Sequence, residues 1–595
     1  MTTPVRSLPL QQVSLLPGLF QQRYELNRRY LVSLRSENLL QNYYQEAGLW
    51  QPAAKPPDDI HWGWESPTSQ VRGHFLGHWL SGAARSYAST GDAELKGKAD
   101  AIVAELGRCQ QENGGEWVFS IPWKYLDWIG RGKPTWAPHY TIHKTLMGLY
   151  DMYAYAGSAQ ALDILEKAAR WFTRWTAQFN QEELDEILDV ETGGMLETWA
   201  DLYGATRKPE HLQLMQRYDR RRLFERLLAG EDPLTNRHAN TTIPEAQGAA
   251  RAYEVTGDER WRKIAEAYWQ CAVTERGAFA TGSQTTGEVW NPPFAYAARL
   301  GDKTQEHCVV YNMVRLADYL LRWTGDVRYA DYMERNLYNG TLAQQHPHNG
   351  MITYFLPLHP GSRKRWGSPT NDFWCCHGSL VQAHTTHNAY TYYQDEQGVM
   401  VCQYIPSQAR WEQNGTPVTL RQDFDLQNST PQPAQPDGPL HRPQSWAINL
   451  NVQCAQETTF TLKLRLPEWL AGEAAVSVNG ERQACAGKAA FCELRRAWKD
   501  DAIRLELPKS LWTEAIPDEP ETVAFLDGPV LLAGLCDEGC TLHGEAHTLL
   551  APDNEREWTN WQAGYRTRGQ ERNFRFAPLY EVADERYTVY FPVKK

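Results

Sequence analysis

The chain of 595 residues has no stretch approaching the roughly 18 uninterrupted apolar residues that a membrane-crossing helix needs. Its first residues, Met1 to Gly18, also lack the charged segment followed by an apolar one that marks a secretory leader, so a cytoplasmic protein without a membrane span is expected. Basic charge is not in excess either. Lys and Arg number 60 against 72 Asp and Glu, a formal net charge of -12, which argues against nucleic acid or an anionic membrane as partner because either calls for a basic face. Cysteine is sparse and odd in number at 11, so a disulfide framework is not expected and free thiols suit a reducing compartment. Most of these cysteines, namely Cys109, Cys271, Cys402, Cys454, Cys485 and Cys492, have apolar neighbours and read as core filler.

What is abundant is aromatic: 24 Trp, 29 Tyr and 17 Phe, with Trp beside polar residues in His61-Trp62-Gly63-Trp64 and Pro134-Thr135-Trp136. Such rings either fill a large core or offer a sugar a flat face while their polar edges bond its hydroxyls. The length exceeds one ordinary core, so a large domain and at least one smaller one are expected. From about residue 20 to about 392 the sequence reads as amphipathic helices separated by a recurring mark: Thr90-Gly91-Asp92, Thr256-Gly257-Asp258 and Thr324-Gly325-Asp326, with looser versions at Ala156-Gly157-Ser158 and Gly204-Ala205-Thr206. Gly suits the left-handed residue that closes a helix, and Asp or Ser suits the N-cap of the next. Repeated helical hairpins with few strand signals predict an (α/α)6 toroid over residues 1–395, its loops opening at one end where a site can form. Beyond that the period changes to two. Phe460, Leu462, Leu464 and Leu466 alternate with polar residues, as do Ile503, Leu505 and Leu507, and Val478-Asn479-Gly480 closes like a hairpin. A β-sandwich, jelly-roll-like, is predicted over 396–595, with the Pro- and Gln-rich stretch from Gln427 to Gln444 a long loop within it.

The strongest local signal is Phe373-Trp374-Cys375-Cys376-His377-Gly378 together with Gln305-Glu306-His307-Cys308. Zinc takes four tetrahedral ligands from thiolate, imidazole and carboxylate, and Glu306, Cys308, Cys375 and Cys376 would meet that count; two buried thiols beside a surface glutamate is the plainer alternative. Glu306 and Cys308, two apart, would point about 200° from each other on a regular helix. They are therefore expected on an extended segment before a helix starting near Val309, and Cys375 and Cys376 on irregular backbone eased by Gly378. His74 and His78, and His139 and His143, are spaced four apart and share helical faces, which suits core packing, hydroxyl binding or metal ligation. Neither pair carries the Glu of a His-Glu-x-x-His metalloprotease. His238 and Asn240 fall in an expected loop and suit binding, and Glu197 either bonds a hydroxyl or caps a helix.

The sequence resembles the β-L-arabinofuranosidase family of glycoside hydrolases over nearly its whole length. The likeness runs through Leu8-Pro9-Leu10 to Ala47-Gly48-Leu49, Gly73-His74-Phe75-Leu76-Gly77-His78-Trp79-Leu80-Ser81, and Trp136-Ala137-Pro138-His139-Tyr140-Thr141-Ile142-His143-Lys144. It continues through Gly193-Gly194-Met195 with Glu197, His238-Ala239-Asn240-Thr241-Thr242-Ile243-Pro244, Glu306-His307-Cys308 and the Cys375-Cys376 pair. The resemblance implies a Zn²⁺ held by Glu306, Cys308, Cys375 and Cys376, with Cys375 as nucleophile and Glu288, in Thr285-Thr286-Gly287-Glu288-Val289-Trp290, as acid/base. It further implies retaining release of a terminal β-linked L-arabinofuranose, or a closely related L-sugar, from an oligosaccharide or glycoside. After the cysteine pair the family commonly continues with Pro and Asn, whereas this chain has His377-Gly378-Ser379-Leu380-Val381-Gln382-Ala383-His384-Thr385. These residues flank the nucleophile and shape the pocket, His377 included, so the departure bears on the sugar rather than on the metal or the reaction class.

Other readings keep the toroid but change the chemistry: sugar epimerisation, hydrolysis by carboxylates with incidental cysteines, or sugar binding with a closed structural zinc. Fold alone does not separate them. The sandwich either covers the barrel mouth or joins two copies in a homodimer.

Overall fold

The structure, a computed structural model, describes residues 5–50, 60–190, 192–424, 445–485, 487–552 and 565–594. The helical joints form as their local chemistry dictates. Gly91, Gly257 and Gly325 are left-handed C-caps with φ of 71°, 74° and 66°. Asp92, Asp258 and Asp326 then accept from backbone N–H groups of the helix that follows, as Ser158 does after Gly157. The looser mark at Gly204-Ala205-Thr206 is corrected: these residues lie inside the helix Met195–Thr206, which ends on a left-handed Arg207 (φ 55°). Gly204 is needed there for packing, since a Cβ would lie 3.0 Å from Val255 Cγ1 on the neighbouring helix.

Among the described residues six helices close a ring: α1 (His74–Thr90), α2 (Pro138–Ala156), α3 (Met195–Thr206), α4 (Ala239–Thr256), α5 (His307–Thr324) and α6 (Cys375–Ala383). Each packs on the next and α6 returns to α1, while helices such as Ala93–Glu112, Ala159–Thr176, Glu259–Trp269 and Val327–Asn336 lie outside them. This is the expected (α/α)6 toroid. The sequence sorts the two layers. Ala159–Thr176 buries one stripe of Ile164, Leu165, Ala168, Ala169 and Phe172, whereas α1 is buried on nearly every face and therefore needs small residues. At the α1–α2 crossing a Cβ on Gly77 would fall 1.8 Å from the Lys144 carbonyl oxygen, so the two backbones approach as only glycine allows.

After residue 390 strands take over, in a ten-stranded and an eight-stranded sheet. The long strands Ser445–Leu466 and Ala490–Pro508 pair antiparallel, with a bulge between Trp498 and Asp500. Their alternating Phe460, Leu462, Leu464, Leu466, Ile503, Leu505 and Leu507 are all buried, in one core with Leu526 and Leu531 of the second sheet. Asn479 and Gly480 form the expected tight turn, both left-handed (φ 52° and 85°). The start of the chain crosses the expected boundary at 395/396: Arg6–Ser7 and Val13–Leu15 pair with Tyr393–Gln394 and Ser407–Ala409 in the first sheet. Cys485 and Cys492 are corrected from core thiols to a disulfide, their Cα atoms lying 5.5 Å apart. The expected loop from Gln427 to Gln444 lies outside the described residues.

The two regions are locked by buried charge. Arg465, on the first sheet, is fully buried and pairs with Asp331 and Glu334 of the outer helix Val327–Asn336. Removing Arg465 would strand two carboxylates away from water, so this interface holds the toroid in one setting against the sheets. Among the described residues no helix is long and apolar enough to cross a membrane.

Candidate active site

Glu306, Cys308, Cys375 and Cys376 come together although they are drawn from two helices. Glu306 is the N-cap of α5, in extended conformation (φ -71°, ψ 134°), and Cys308 follows in the first turn. The helix thus begins at His307, two residues earlier than expected, and the extended N-cap alone turns the Glu306 carboxylate toward the cysteine. Cys375 and Cys376 are the first two residues of α6 and have helical backbone, which corrects the expectation of an irregular segment. Gly378 serves packing instead: a Cβ there would lie 2.2 Å from the His78 ring on α1. Two helix N-termini therefore converge on the sulfurs, and the partial positive charge of each favours thiolate.

The cluster is compact and dry. Cys308 Sγ is 3.6 Å from Cys376 Sγ, Cys375 Sγ is 3.9 Å from Cys376 Sγ and 3.5 Å from Glu306 Oε1, and Cys376 Sγ is 3.9 Å from the same oxygen. A tetrahedron with metal–sulfur bonds of about 2.3 Å has edges of about 3.8 Å, so the donor set has the dimensions of a four-coordinate zinc site. The second oxygen of Glu306 is buried without a hydrogen-bond partner. Burial pushes the Glu306 carboxyl and the Cys375 and Cys376 thiols well above their ordinary ranges. Burial also pushes against Cys308, but hydrogen bonds from Cys375 and Cys376 outweigh it and bring that thiol down to about 6. Four acids crowded out of water with an orphaned oxygen is an arrangement that a divalent cation satisfies, so the residues fit a metal.

Glu288 faces the cluster from a two-residue hairpin turn between Thr285–Thr286 and Val289–Trp290, where Gly287 and Glu288 both take left-handed backbone (φ 59° and 72°). A glutamate is costly in that conformation. It is held there from both sides, by Gly287 N–H to the Lys303 carbonyl and Ala239 N–H to the Glu288 carbonyl. Tyr354, which sequence reasoning missed because it stands in no motif, donates its hydroxyl to Glu288 Oε1 and lies 3.4 Å from Cys375 Sγ. Burial, together with the charges of Cys375 and Glu306, keeps that phenol protonated.

These residues line a cavity of about 300 Å³ with Trp64 and Trp136, whose rings meet edge to face at 4.9 Å. Trp136 is 46% exposed and marks the mouth. Of the expected binding residues His78, His143, His238 and Asn240 lie on the wall. His78 Nδ1 bonds Gln382 Oε1 at 2.6 Å, and Gln382 is oriented by its own donation to Ser81, so His78 carries its proton on Nδ1 and its bare Nε2 is left as an acceptor. His78 Nε2, His143 Nδ1, Asn240 Nδ2 and the Tyr311 hydroxyl are buried without partners among the described residues, and all four residues line the cavity. Lys144 also lines it, over the Tyr140 ring, and burial lowers its ammonium to about 8. Lys144, Tyr311 and Arg315 escaped sequence reasoning as site residues; Lys144 closes a motif of the resemblance, the other two carry no local signal, and Gln382 lies in the stretch after the cysteine pair that is expected to shape the pocket.

Three further expected binding residues lie off the cavity wall. His74 is fully buried and held by the Phe373 carbonyl and the Tyr140 hydroxyl, His139 packs against Trp175 and Tyr218, and His377 caps α6 at the Trp374 N–H and bonds the Ser368 carbonyl. None of them lines the cavity. Glu197 neither caps a helix nor reaches the cavity: it accepts from Arg315 and Tyr319 in an adjoining polar chamber of about 440 Å³ that shares His143 and Arg315 with it.

Residues 12–389 match the family model described as beta-L-arabinofuranosidase, GH127 catalytic domain, and residues 398–509 match that of the beta-L-arabinofuranosidase, GH127 middle domain. A non-reducing end beta-L-arabinofuranosidase of Bifidobacterium longum subsp. longum is 24% identical over 456 residues, 68% of this chain. The match spans 65% of that relative's length. Among solved structures, a GH127 beta-L-arabinofuranosidase from Geobacillus stearothermophilus T6 superposes with a TM-score of 0.72 at 18% identity, covering 98% of this chain and all of the other. A GH127 beta-arabinofuranosidase superposes with a TM-score of 0.76 at 17% identity, over 100% of this chain and 98% of the other. At these identities the superpositions show a shared fold.

Proposed function

The chain belongs to the GH127 beta-L-arabinofuranosidase family, and from that premise we propose that it is a retaining glycoside hydrolase that releases a terminal β-linked L-arabinofuranose, or a closely related L-sugar. Cys375 is the nucleophile and Glu288 the acid/base. Zinc, bound by Glu306, Cys308, Cys375 and Cys376, supplies the positive charge that takes the place of the thiol protons near neutral pH.

In the first step Cys375 Sγ attacks the anomeric carbon. A carbon–sulfur bond forms as the carbon–oxygen bond to the leaving group breaks, and the protonated Glu288 gives its proton to the departing oxygen. Glu288, now a carboxylate, takes a proton from water as that water attacks the same carbon and expels the sulfur. Two displacements on one carbon preserve configuration. Tyr354 touches both reacting groups and sets their spacing. The sugar's hydroxyls have partners waiting in His78 Nε2, Asn240 Nδ2, His143 Nδ1 and Tyr311.

The observation that carries this reading is the tetrahedral spacing of the Glu306 and cysteine donors beside a cavity edged by Glu288. The test is covalent. A cyclophellitol-type or haloacetamide L-arabinofuranose probe should add one label, which peptide mass spectrometry should find on Cys375. Labelling of a carboxylate instead, or a Cys375→Ser variant that cleaves an aryl β-L-arabinofuranoside as fast as wild type, would overturn it.

A further inference from the structure

Outside the catalytic cavity a second concave site opens on the toroid surface, about 470 Å³ in volume. Its wall carries four tryptophans, Trp117, Trp123, Trp171 and Trp175, of which Trp117 and Trp175 are buried, set among Asn113, Asp127, Gln178 and the Glu116–Arg174 ion pair, with no aliphatic side chain among the lining residues. Trp171 and Trp175, one helical turn apart on Ala159–Thr176, are nearly parallel (13°), and Trp117 lies 4.7 Å from Trp171. Trp123 begins the helix Lys124–Gly130 and is 55% exposed. Leaving an indole in water gives up burial worth about 1.5–3 kcal/mol for a large apolar side chain, so a site that exposes one invites a ligand that covers it.

We propose that this cleft is a non-catalytic binding site for a neutral oligosaccharide chain, the glycan from which the catalytic cavity removes terminal residues. The lining chemistry selects the occupant. Leu, Ile, Val and Met, which would meet a lipid chain, are absent from the wall. Flat indole faces with hydroxyl-bonding groups at their edges match the alternating C–H faces and hydroxyl rims of sugars. The volume lies in the range of small-molecule sites and exceeds that of the catalytic cavity, so it admits more than one sugar unit. Position supports the same occupant. His139, in the first turn of α2, packs on Trp175 at 5.5 Å, while Ala137 and Tyr140 of the same turn line the catalytic cavity. The first turn of α2 thus packs against both sites, and a chain held in the cleft stays on the protein between cuts. The gain is effective concentration rather than new chemistry.

The oligosaccharide identity rests on the proposed hydrolase activity, whereas binding in the cleft does not depend on turnover. The experiment separates the two on the full chain. Wild type, Trp123→Ala and Trp123→Ala/Gln178→Ala are assayed on an aryl β-L-arabinofuranoside and on an L-arabinofuranosyl tetrasaccharide, and tetrasaccharide binding is measured by calorimetry in each protein carrying Cys375→Ser. Trp123 is exposed enough that its loss should leave the thermal midpoint unchanged. The expected result is about tenfold weaker tetrasaccharide binding and a raised KM for the tetrasaccharide, with kcat/KM on the aryl glycoside unaltered. Tetrasaccharide binding equal to wild type in the double variant, or no binding beyond the catalytic cavity in the parent, overturns the cleft. Absence of aryl glycoside hydrolysis in wild type overturns the proposed activity alone.

Discussion

The Tyr354 hydroxyl lies 3.4 Å from Cys375 Sγ while donating its proton to Glu288 Oε1. One phenol thus links the proposed nucleophile to the proposed acid/base, and hydrogen bonds to charged groups are worth about 1.5–3 kcal/mol. Tyr354→Phe keeps the ring and removes the link. We expect kcat to fall about ten- to a hundredfold with zinc content unchanged, measured by steady-state kinetics beside metal analysis. A variant at wild-type rate would show that the phenol only packs.

Cys308 contributes a donor but takes no part in the proposed bond-making steps, so its loss should act through the metal. Metal binding to the folded state alone stabilises it, and a three-donor site holds zinc less tightly than a four-donor one. Cys308→Ala is expected to lose most of the roughly one zinc per chain of the wild type. Its thermal midpoint should fall to that of chelator-treated wild type. Full zinc occupancy in the variant would remove Cys308 from the ligand set.

The distribution of what the sequence made legible follows range of interaction. The joints at Gly91-Asp92, Gly257-Asp258 and Gly325-Asp326 were readable because a C-cap and an N-cap are settled within a few residues. The joint at Arg207 was not, because Gly204 has the same residue type but is there to admit Val255 from a neighbouring helix. The four clustered donors were legible as residue types, yet the helical backbone under Cys375 and Cys376 depends on where α6 begins against α1. Tyr354 and Tyr311 reach the site from positions whose local sequence carries no catalytic mark; only the closed ring brings them there. His74, His139 and His377 had the spacing or neighbourhood of ligands, and burial against Phe373, Trp175 and Ser368 assigns them to the framework.

Gly378 supports the site by what it omits. A Cβ would press on the His78 ring at 2.2 Å, and that ring is fixed through Nδ1 by Gln382, which also lines the cavity. Gly378→Ala should therefore turn His78 out of register, at about 1–3 kcal/mol for a forced overpacking. A lower denaturation midpoint and a raised KM are expected together. An unchanged KM with lowered stability would mean that His78 Nε2 does not meet the substrate.

Glu65 gives a pH dependence whose sign is fixed. It is buried and accepts from Gly73 N–H at 2.7 Å, Phe75 N–H at 2.9 Å and Asn42 Nδ2 at 3.0 Å, at the start of α1. Those donors favour the carboxylate, but desolvation outweighs them and raises the group from 4.5 to about 7. The folded state thus holds this proton more tightly than the unfolded chain does. Its contribution to stability is fully present below about pH 4.5 and is lost as pH rises through about 7, on the order of 3 kcal/mol in all. Glu65→Gln cannot ionise, and it keeps an acceptor for one of the two N–H groups, which bond different oxygens of the carboxylate. The wild type should therefore lose stability relative to Glu65→Gln between pH 5 and pH 8, as read from denaturant midpoints at both values. A constant difference across that window would show that the ionised carboxylate is as well solvated by the N-terminus of α1 as by water.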